Sequence, residues 1–217
     1  MKKITLLITL LGLFATGFAQ ETATPKTNGT SLFGFSTGAN LSNIRGNKVA
    51  EENNSALDFL VGLSYEYQFT ESFALKTELN YERKSFKKDA FLDATSSRRY
   101  ELKTTLNYIT IPILAKYSFG NNKNFFINSG PFMGNFIDDT FKIDGKNFDA
   151  GGTIFKNIDF GWAFGAGTSI KLNKTNNLNI EIRNNLGLSN ISKLRTINNG
   201  SVKTNSINLI VNWNFNI

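Results

Sequence analysis

The sequence predicts an all-β fold, an eight-stranded antiparallel up-and-down transmembrane β-barrel. Three observations predict it. First, apolar and polar residues alternate through eight stretches of about ten or more residues, and successive side chains of a strand point to opposite faces. Second, the connections alternate in length: 70–72, 120–124 and 173–177 are short, whereas 45–56, 85–105, 137–157 and 189–204 are long and polar. A barrel with periplasmic turns and extracellular loops produces this alternation, and a Greek-key sandwich does not. Third, Phe33, Phe35, Tyr65, Tyr67, Phe69, Phe73, Tyr117, Phe119, Phe125, Trp213 and Phe215 all fall at short-turn ends of strands, as an interfacial aromatic girdle requires.

The first 19 residues stand apart from this pattern. Lys2 and Lys3 precede an apolar run over 4–14 that is too short to span a bilayer, and Gly17 and Ala19 occupy the small-residue positions of a cleavage site. The expected division is a signal peptide over 1–19, a flexible polar lead-in over 20–31 and an outer-membrane barrel over 32–217. The absence of cysteine excludes a lipid-anchored leader and any disulfide framework. Without Lys2 and Lys3 the formal charge falls from +7 to +5, and no basic block is dense enough to predict nucleic-acid binding.

The expected strands follow in order. The first, 32–44, sets Phe33, Phe35, Thr37, Ala39 and Leu41 against Gly34, Ser36, Gly38, Asn40 and Ser42. The second, 57–69, carries Leu57, Phe59, Val61, Leu63, Tyr65, Tyr67 and Phe69 at every odd position, with Leu60 the one apolar residue opposite them. The third, from 73, sets Phe73, Leu75, Thr77, Leu79 and Tyr81 against Lys76, Glu78, Asn80, Glu82 and Lys84. The fourth, 106–119, alternates from Ile109 to Phe119, and its Pro112, which lacks a ladder N–H, predicts a bulge or a missing ladder bond. The fifth, 125–136, alternates too poorly for its faces to be assigned. The sixth, 158–172, opposes Phe160, Trp162 and Phe164 to Gly161, Gly165 and Gly167. The seventh, 178–188, opposes Ile180 and Ile182 to Glu181 and Arg183. The eighth, 207–217, is the clearest: Ile207, Leu209, Val211, Trp213, Phe215 and Ile217 alternate with Asn208, Asn212, Asn214 and Asn216. Trp213 and Phe215, the last outward aromatics, are the expected insertion signal for the barrel-assembly machinery.

Periodicity does not say which face is inside. A soluble lipocalin-like barrel would put the apolar face inward. Aromatic-rich apolar stripes suit lipid better than the lumen of a small barrel, so the charged face is expected inside. The lumen is then lined by Asp58, Glu66, Lys76, Glu78, Glu82, Lys84, Lys116, Asp159, Lys171, Glu181 and Arg183, whose signs nearly cancel. A mutually paired structural network accounts for them better than catalysis does. Arg83 has outward parity ten residues beyond Phe73, roughly 25 Å higher along the membrane normal, where anionic headgroups are its expected contact.

The chain resembles the PorT-like outer-membrane β-barrel family of Bacteroidota. The resemblance rests on the leader up to Gln20, Gly-Phe-Ser-Thr-Gly-Ala-Asn-Leu-Ser-Asn (34–43), Leu-Asn-Tyr-Glu-Arg-Lys-Ser (79–85), Tyr-Ile-Thr-Ile-Pro-Ile-Leu (108–114), Gly-Pro-Phe (130–132) and Gly-Ala-Gly (165–167). It spans almost the whole mature chain and departs at Ser85, where members often carry glycine. It implies an outer-membrane location and a role as an accessory of secretion or envelope assembly.

No activity or cofactor is expected. Histidine is absent, which removes the usual general base of barrel hydrolases and acyltransferases, and His or Cys metal sites are excluded. Glu78 and Glu82 share a face, but they alternate with lysines. Two functional readings remain beside a narrow, porin-like diffusion channel: a structural or interaction barrel, and the PorT-like accessory. Eight strands leave an interior that side chains fill, which argues against the channel. Expected partners are outer-membrane lipid including lipopolysaccharide, the assembly machinery, and a protein at the extracellular loops. Lys87, Lys88, Arg98, Arg99 and Lys103 of loop 85–105 are the candidate contact surface.

Overall fold

The computed structural model describes residues 29–91, 98–149, 151–194 and 200–216. The expected signal peptide, with Gly17 and Ala19, and most of the lead-in lie outside the described residues. Nine strands and one helical turn follow in order: β1 (Thr30–Arg45), α1 (Lys48–Glu51), β2 (Asn54–Gln68), β3 (Phe73–Ala90), β4 (Tyr100–Phe119), β5 (Phe125–Ile143), β6 (Lys146–Phe148), β7 (Ile158–Lys171), β8 (Asn176–Gly187) and β9 (Lys203–Asn216). Strand β1 starts at Thr30, inside the expected lead-in.

Eight of the strands form a ring, β1–β2–β3–β4–β5–β7–β8–β9, and β9 returns to β1 with Phe33 opposite Phe215 and Arg45 opposite Lys203. Every pairing is antiparallel. Closure satisfies the backbone groups that lipid could not. The short β6 lies outside the ring, paired only to the end of β5.

Burial decides the faces. Along β9, Ser206, Asn208, Asn212 and Asn214 are buried, while Ile207, Leu209 and Trp213 are at least half exposed. The same inversion holds on β2 and β3, where Leu63 and Leu79 are exposed and Glu66 and Glu78 are buried. An apolar outside around a polar inside is the arrangement of a barrel that sits in lipid, and the lipocalin-like alternative is excluded. Among the described residues no helix is long and apolar enough to cross a membrane. At the short-turn end aromatic rings meet across four strand pairs: Phe35 lies 6.2 Å from Phe215, Phe33 5.1 Å from Tyr65, Phe73 4.9 Å from Tyr117, and Phe119 6.1 Å from Phe125 between ring centroids.

The fifth strand is resolved here. On β5, Phe126, Asn128, Phe132 and Gly134 face in, while Phe125 and Ile127 face lipid. Glycines of β7 make room for the two inward rings. A Cβ on Gly161 would lie 2.5 Å from the Phe132 ring, and one on Gly167 would lie 2.6 Å from the Phe126 ring. Pro112 produces a missing ladder stretch and no bulge. Pairing of β3 with β4 stops at Thr77–Ile113, resumes at Asn80–Thr110 in unchanged register, and the Thr77 hydroxyl donates to the Pro112 carbonyl at 3.1 Å.

The long loops are shorter than expected. Strands β3 and β4 stay paired from Ser85–Thr105 to Ala90–Tyr100, so the expected loop 85–105 shrinks to 91–99. Strand β5 runs to Ile143 and turns back through Asp144 and Gly145, with φ of 46° and 78°, into β6. Two positive φ angles with an Asp-Gly pair are the signature of a two-residue hairpin turn. Loop 137–157 therefore holds a hairpin.

Candidate functional site

The lumen is built from the inward positions of all eight strands of the ring. Its centre is a four-charge cluster. Arg183 on β8 donates from Nη1 and Nη2 to Glu78 on β3 at 2.7 and 2.8 Å, and its Nε lies 2.5 Å from Glu181. Lys76 lies 2.7 Å from Glu78 and 3.5 Å from Glu181. All four side chains are at most 1 % exposed. Nearer the short turns, Lys116 on β4 donates to both carboxylate oxygens of Glu66 on β2, with its ammonium 4.6 Å from the centre of the Phe126 ring. Nearer the long loops, Lys84 on β3 meets Asp159 on β7 at 2.9 Å and lies 4.8 Å from the Phe132 ring and 5.2 Å from the Tyr108 ring. A buried charge without a partner costs several kcal/mol, so each of these contacts is a condition for burying the others.

Glu82 is held differently. Its carboxylate accepts from the Asn40 amide at 3.2 Å, the Asn185 amide at 3.3 Å and the Ser206 hydroxyl at 3.3 Å. Asp159 likewise takes the Thr204 hydroxyl at 2.7 Å, and Glu181 the Asn128 amide at 3.0 Å. Amides of β1, β5 and β8 and hydroxyls of β9 thus serve these acids. Their luminal role was not drawn from the sequence. The luminal aromatics Phe126, Phe132 and Tyr108 were also missed as lumen residues, because an inward ring is indistinguishable from an outward one by hydropathy.

Two of the eleven expected lumen residues lie elsewhere. Lys171 is exposed at the rim of a polar recess of about 740 Å³ at the short-turn end. It has inward parity but is the last residue of β7, at the solvent-open mouth of the barrel. Asp58 sits in the barrel wall. A register shift between Ser55 and Leu60 turns it toward Arg83 Nε at 2.9 Å, while its other oxygen accepts from Ser85 Oγ at 2.7 Å and Lys103 Nζ at 3.3 Å. Arg83 is accordingly engaged by a carboxylate, with its guanidinium 5.3 Å from the Phe59 ring centre.

The lumen is capped at the long-loop end by a layer of buried apolar side chains: Ile44, Ala50, Phe86, Leu106, Tyr108, Phe155 and Ile191. Leu106 pairs in register with Lys84, so the cap begins where the charged network ends. The candidate loop cations are not a bare basic patch. Lys87 pairs with Glu101 at 2.9 Å, Lys88 with Glu52 at 2.5 Å, Arg98 with Asp144 at 2.8 Å and Lys103 with Asp58. Arg99 stacks 5.3 Å over Phe91. Lys87, Lys88 and Lys103 stand on the paired extensions of β3 and β4, not on a loop. Among the described residues no group of three or more acidic, His or Cys side chains could hold a metal ion.

A family model described as an outer membrane protein beta-barrel domain matches residues 18–193 of the chain. The chain belongs to that family. An outer-membrane barrel domain is thus located in the outer membrane, as its lipid-facing exterior requires. No curated protein matches the chain. Among solved structures, Neisserial surface protein A (NspA) is 16 % identical, with 85 % of this chain and 97 % of that one covered at a TM-score of 0.47. OprG from Pseudomonas aeruginosa is 14 % identical over 87 % of this chain and 95 % of its own, at 0.46. Ail of Yersinia pestis is 13 % identical over 85 % and 99 %, at 0.41. These likenesses are in outline, and the fold of this barrel domain rests on its own strand pairing.

Proposed function

We propose that this outer-membrane barrel is a non-enzymatic protein with a closed lumen, whose working surface is its long-loop end. The role is structural or interactive, as an accessory of secretion or envelope assembly of the PorT kind. The observation that carries the closed lumen is the contact of Arg183 with Glu78. In the ring of eight, β3 and β8 are diametrically opposed, so this pair crosses the full width of the barrel. The apolar cap lies beyond it. The polar recess at the short-turn end and the cavity at the long-loop end share no lining residue.

The proposed partners follow from the two ends and the outside. Lipid, including lipopolysaccharide in the outer leaflet, meets the apolar belt. The assembly machinery reads Trp213 and Phe215. A protein partner meets the long-loop end, where Val49, Phe91 and Phe148 expose apolar surface beside the neutralised cations. Planar-bilayer recording of the full chain tests the closed lumen, and no steady current on the nanosiemens scale is expected. Such currents from the wild-type protein would replace this reading with a diffusion channel. Crosslinking from Phe91 or Arg99 in intact cells tests the interaction role, with one recurrent envelope protein as the expected product.

A further inference from the structure

Above the cap, the long-loop end forms an open cavity of about 920 Å³. Ile44, Phe86, Phe155 and Val202 line it from the barrel side, and Val49 and Ile154 from the mouth. The volume is that of a pocket for a drug-sized ligand, and such pockets combine apolar walls with few polar groups. Here the amide side chains and the Ser192 hydroxyl on the wall are already used. The Asn47 side chain accepts from Ala50 N at 2.9 Å and donates to the Ser201 carbonyl at 3.0 Å. Asn53 donates to the Val49 and Ala50 carbonyls, and the Ser192 hydroxyl accepts from Leu194 N at 3.1 Å. These bonds hold the walls in shape and leave an interior of hydrocarbon and rings.

The walls are also fixed to one another. Lys156 N donates to the Ile191 carbonyl at 2.7 Å, Ile191 N to Val202 at 2.8 Å and Lys193 N to Ile154 at 2.8 Å, which joins segment 151–157 to segment 189–194 and to the start of β9. A preformed wall spares a ligand the cost of ordering it. One lysine, Lys48, and one aspartate, Asp139, border the cavity, so the charges there cancel and select against neither sign.

We propose that this cavity is a binding site for an uncharged, predominantly hydrocarbon small molecule that enters from the aqueous side. Entry from the bilayer is disfavoured because Ile44 and Phe86 are buried on β1 and β3, strands that at those positions remain paired to β9 and to β2 and β4. Leu106 and Tyr108 of the same apolar cluster, both fully buried, lie behind this lining. This goes beyond the closed-lumen reading and does not depend on it, since binding above the cap is independent of conduction below it.

The test is photolabelling of the full chain in phosphatidylcholine nanodiscs with an uncharged aryl diazirine added to the buffer, mapped by mass spectrometry. Saturable labelling of Phe86, Phe155 or Val202 is expected, together with non-saturable labelling of lipid-facing Leu41 and Ile207. Val49→Trp and Ile154→Trp narrow the mouth at exposed positions and should lower the saturable labelling at least about tenfold, as obstruction of an apolar pocket does. Labelling of Leu41 and Ile207 should stay unchanged in both variants, which reports that the barrel is intact. Labelling confined to the lipid-facing residues overturns the proposal. So does labelling of the cavity by a diazirine on a phospholipid acyl chain with none from the free probe, which would make the occupant a lipid.

Discussion

Arg183 and Glu78 meet through two parallel hydrogen bonds, at 2.7 and 2.8 Å, from opposite walls of the barrel. They are 105 residues apart in sequence. The bidentate guanidinium–carboxylate geometry is among the strongest of side-chain contacts. Here it also sets the distance between β3 and β8, because neither partner can withdraw without leaving the other charge buried. Lys76 and Glu181 complete the cluster so that two acids face two bases.

Truncation of Arg183 is therefore expected to be costly. Arg183→Ala should lower the unfolding free energy by about 3 kcal/mol, the cost of stranding buried partners, while Arg183→Lys should fall between it and the wild type. Urea titration of the protein refolded into liposomes measures both. Equal stability of all three proteins would show that the cluster does not brace the barrel.

The outward face makes the opposite prediction at neighbouring positions. Leu63 on β2 is half exposed and lies near the middle of the apolar belt. Leu63→Arg should cost about 2–4 kcal/mol in liposomes, the depth-dependent cost of a charge in hydrocarbon. Leu57→Arg, closer to the long-loop rim, should cost much less. A flat profile between the two positions would mean that the belt does not coincide with the bilayer core.

Assembly depends on the terminal strand. Phe215 faces outward opposite Phe33 of β1, at the seam where the ring closes. Phe215→Asp places a carboxylate both in the girdle and in the expected insertion signal. Export should be unaffected and membrane insertion blocked, with the chain accumulating unfolded in the periplasm. Cell fractionation decides this, and wild-type amounts of heat-modifiable barrel in the membrane fraction would refute it.

The rim beyond the membrane should be acid-sensitive. The backbone N–H of Glu101 holds the Asp144 carboxyl below its ordinary 3.8, with Arg98 assisting, and the Lys88 hydrogen bond and charge hold Glu52 below its ordinary 4.5. A carboxyl lowered in the folded state stabilises that state above its ordinary pKa, and the contribution is lost as the pH falls through the lowered value. These contacts should be complete at neutral pH and fail only as the pH falls below the ordinary values of the two carboxyls. NMR titration of the two carboxyl carbons should give midpoints below the ordinary values. Midpoints at or above them would show that the contacts do not persist in solution.

The legible parts of the fold were those immersed in lipid. Between 57 and 69, and again between 207 and 216, one face must be apolar and the other polar, so alternation marks the strand. Beyond the bilayer that demand ends. Residues 85–90 and 100–105 remain paired, but both of their faces carry polar groups, so they were read as loop. The Asp144–Gly145 turn is legible beside the alternation of Phe141, Lys142 and Ile143, but its return strand, β6, is three residues long, too short for periodicity to mark. In β5 the contrast fails for another reason: Phe126 and Phe132 turn inward into space left by Gly167 and Gly161 of the paired strand β7, a fit that hydropathy along β5 does not record.

By itself the sequence determined the class of the fold, the number of membrane strands and the set of charges without a lipid-compatible place, because each follows from local periodicity and the short-long order of connections. Only the tertiary structure decided which charge meets which. The pairing of Arg183 with Glu78, of Lys84 with Asp159 and of Lys116 with Glu66 depends on ring closure and on the stagger of the strands, which bring together residues 105, 75 and 50 positions apart. It also placed Lys171 outside the network and Asp58 in the wall, since the end of a strand and a one-residue register shift change a side chain's surroundings without changing its parity. The cavity above the cap belongs to the same class of fact: its walls come from seven separate segments, and no local pattern records that they converge.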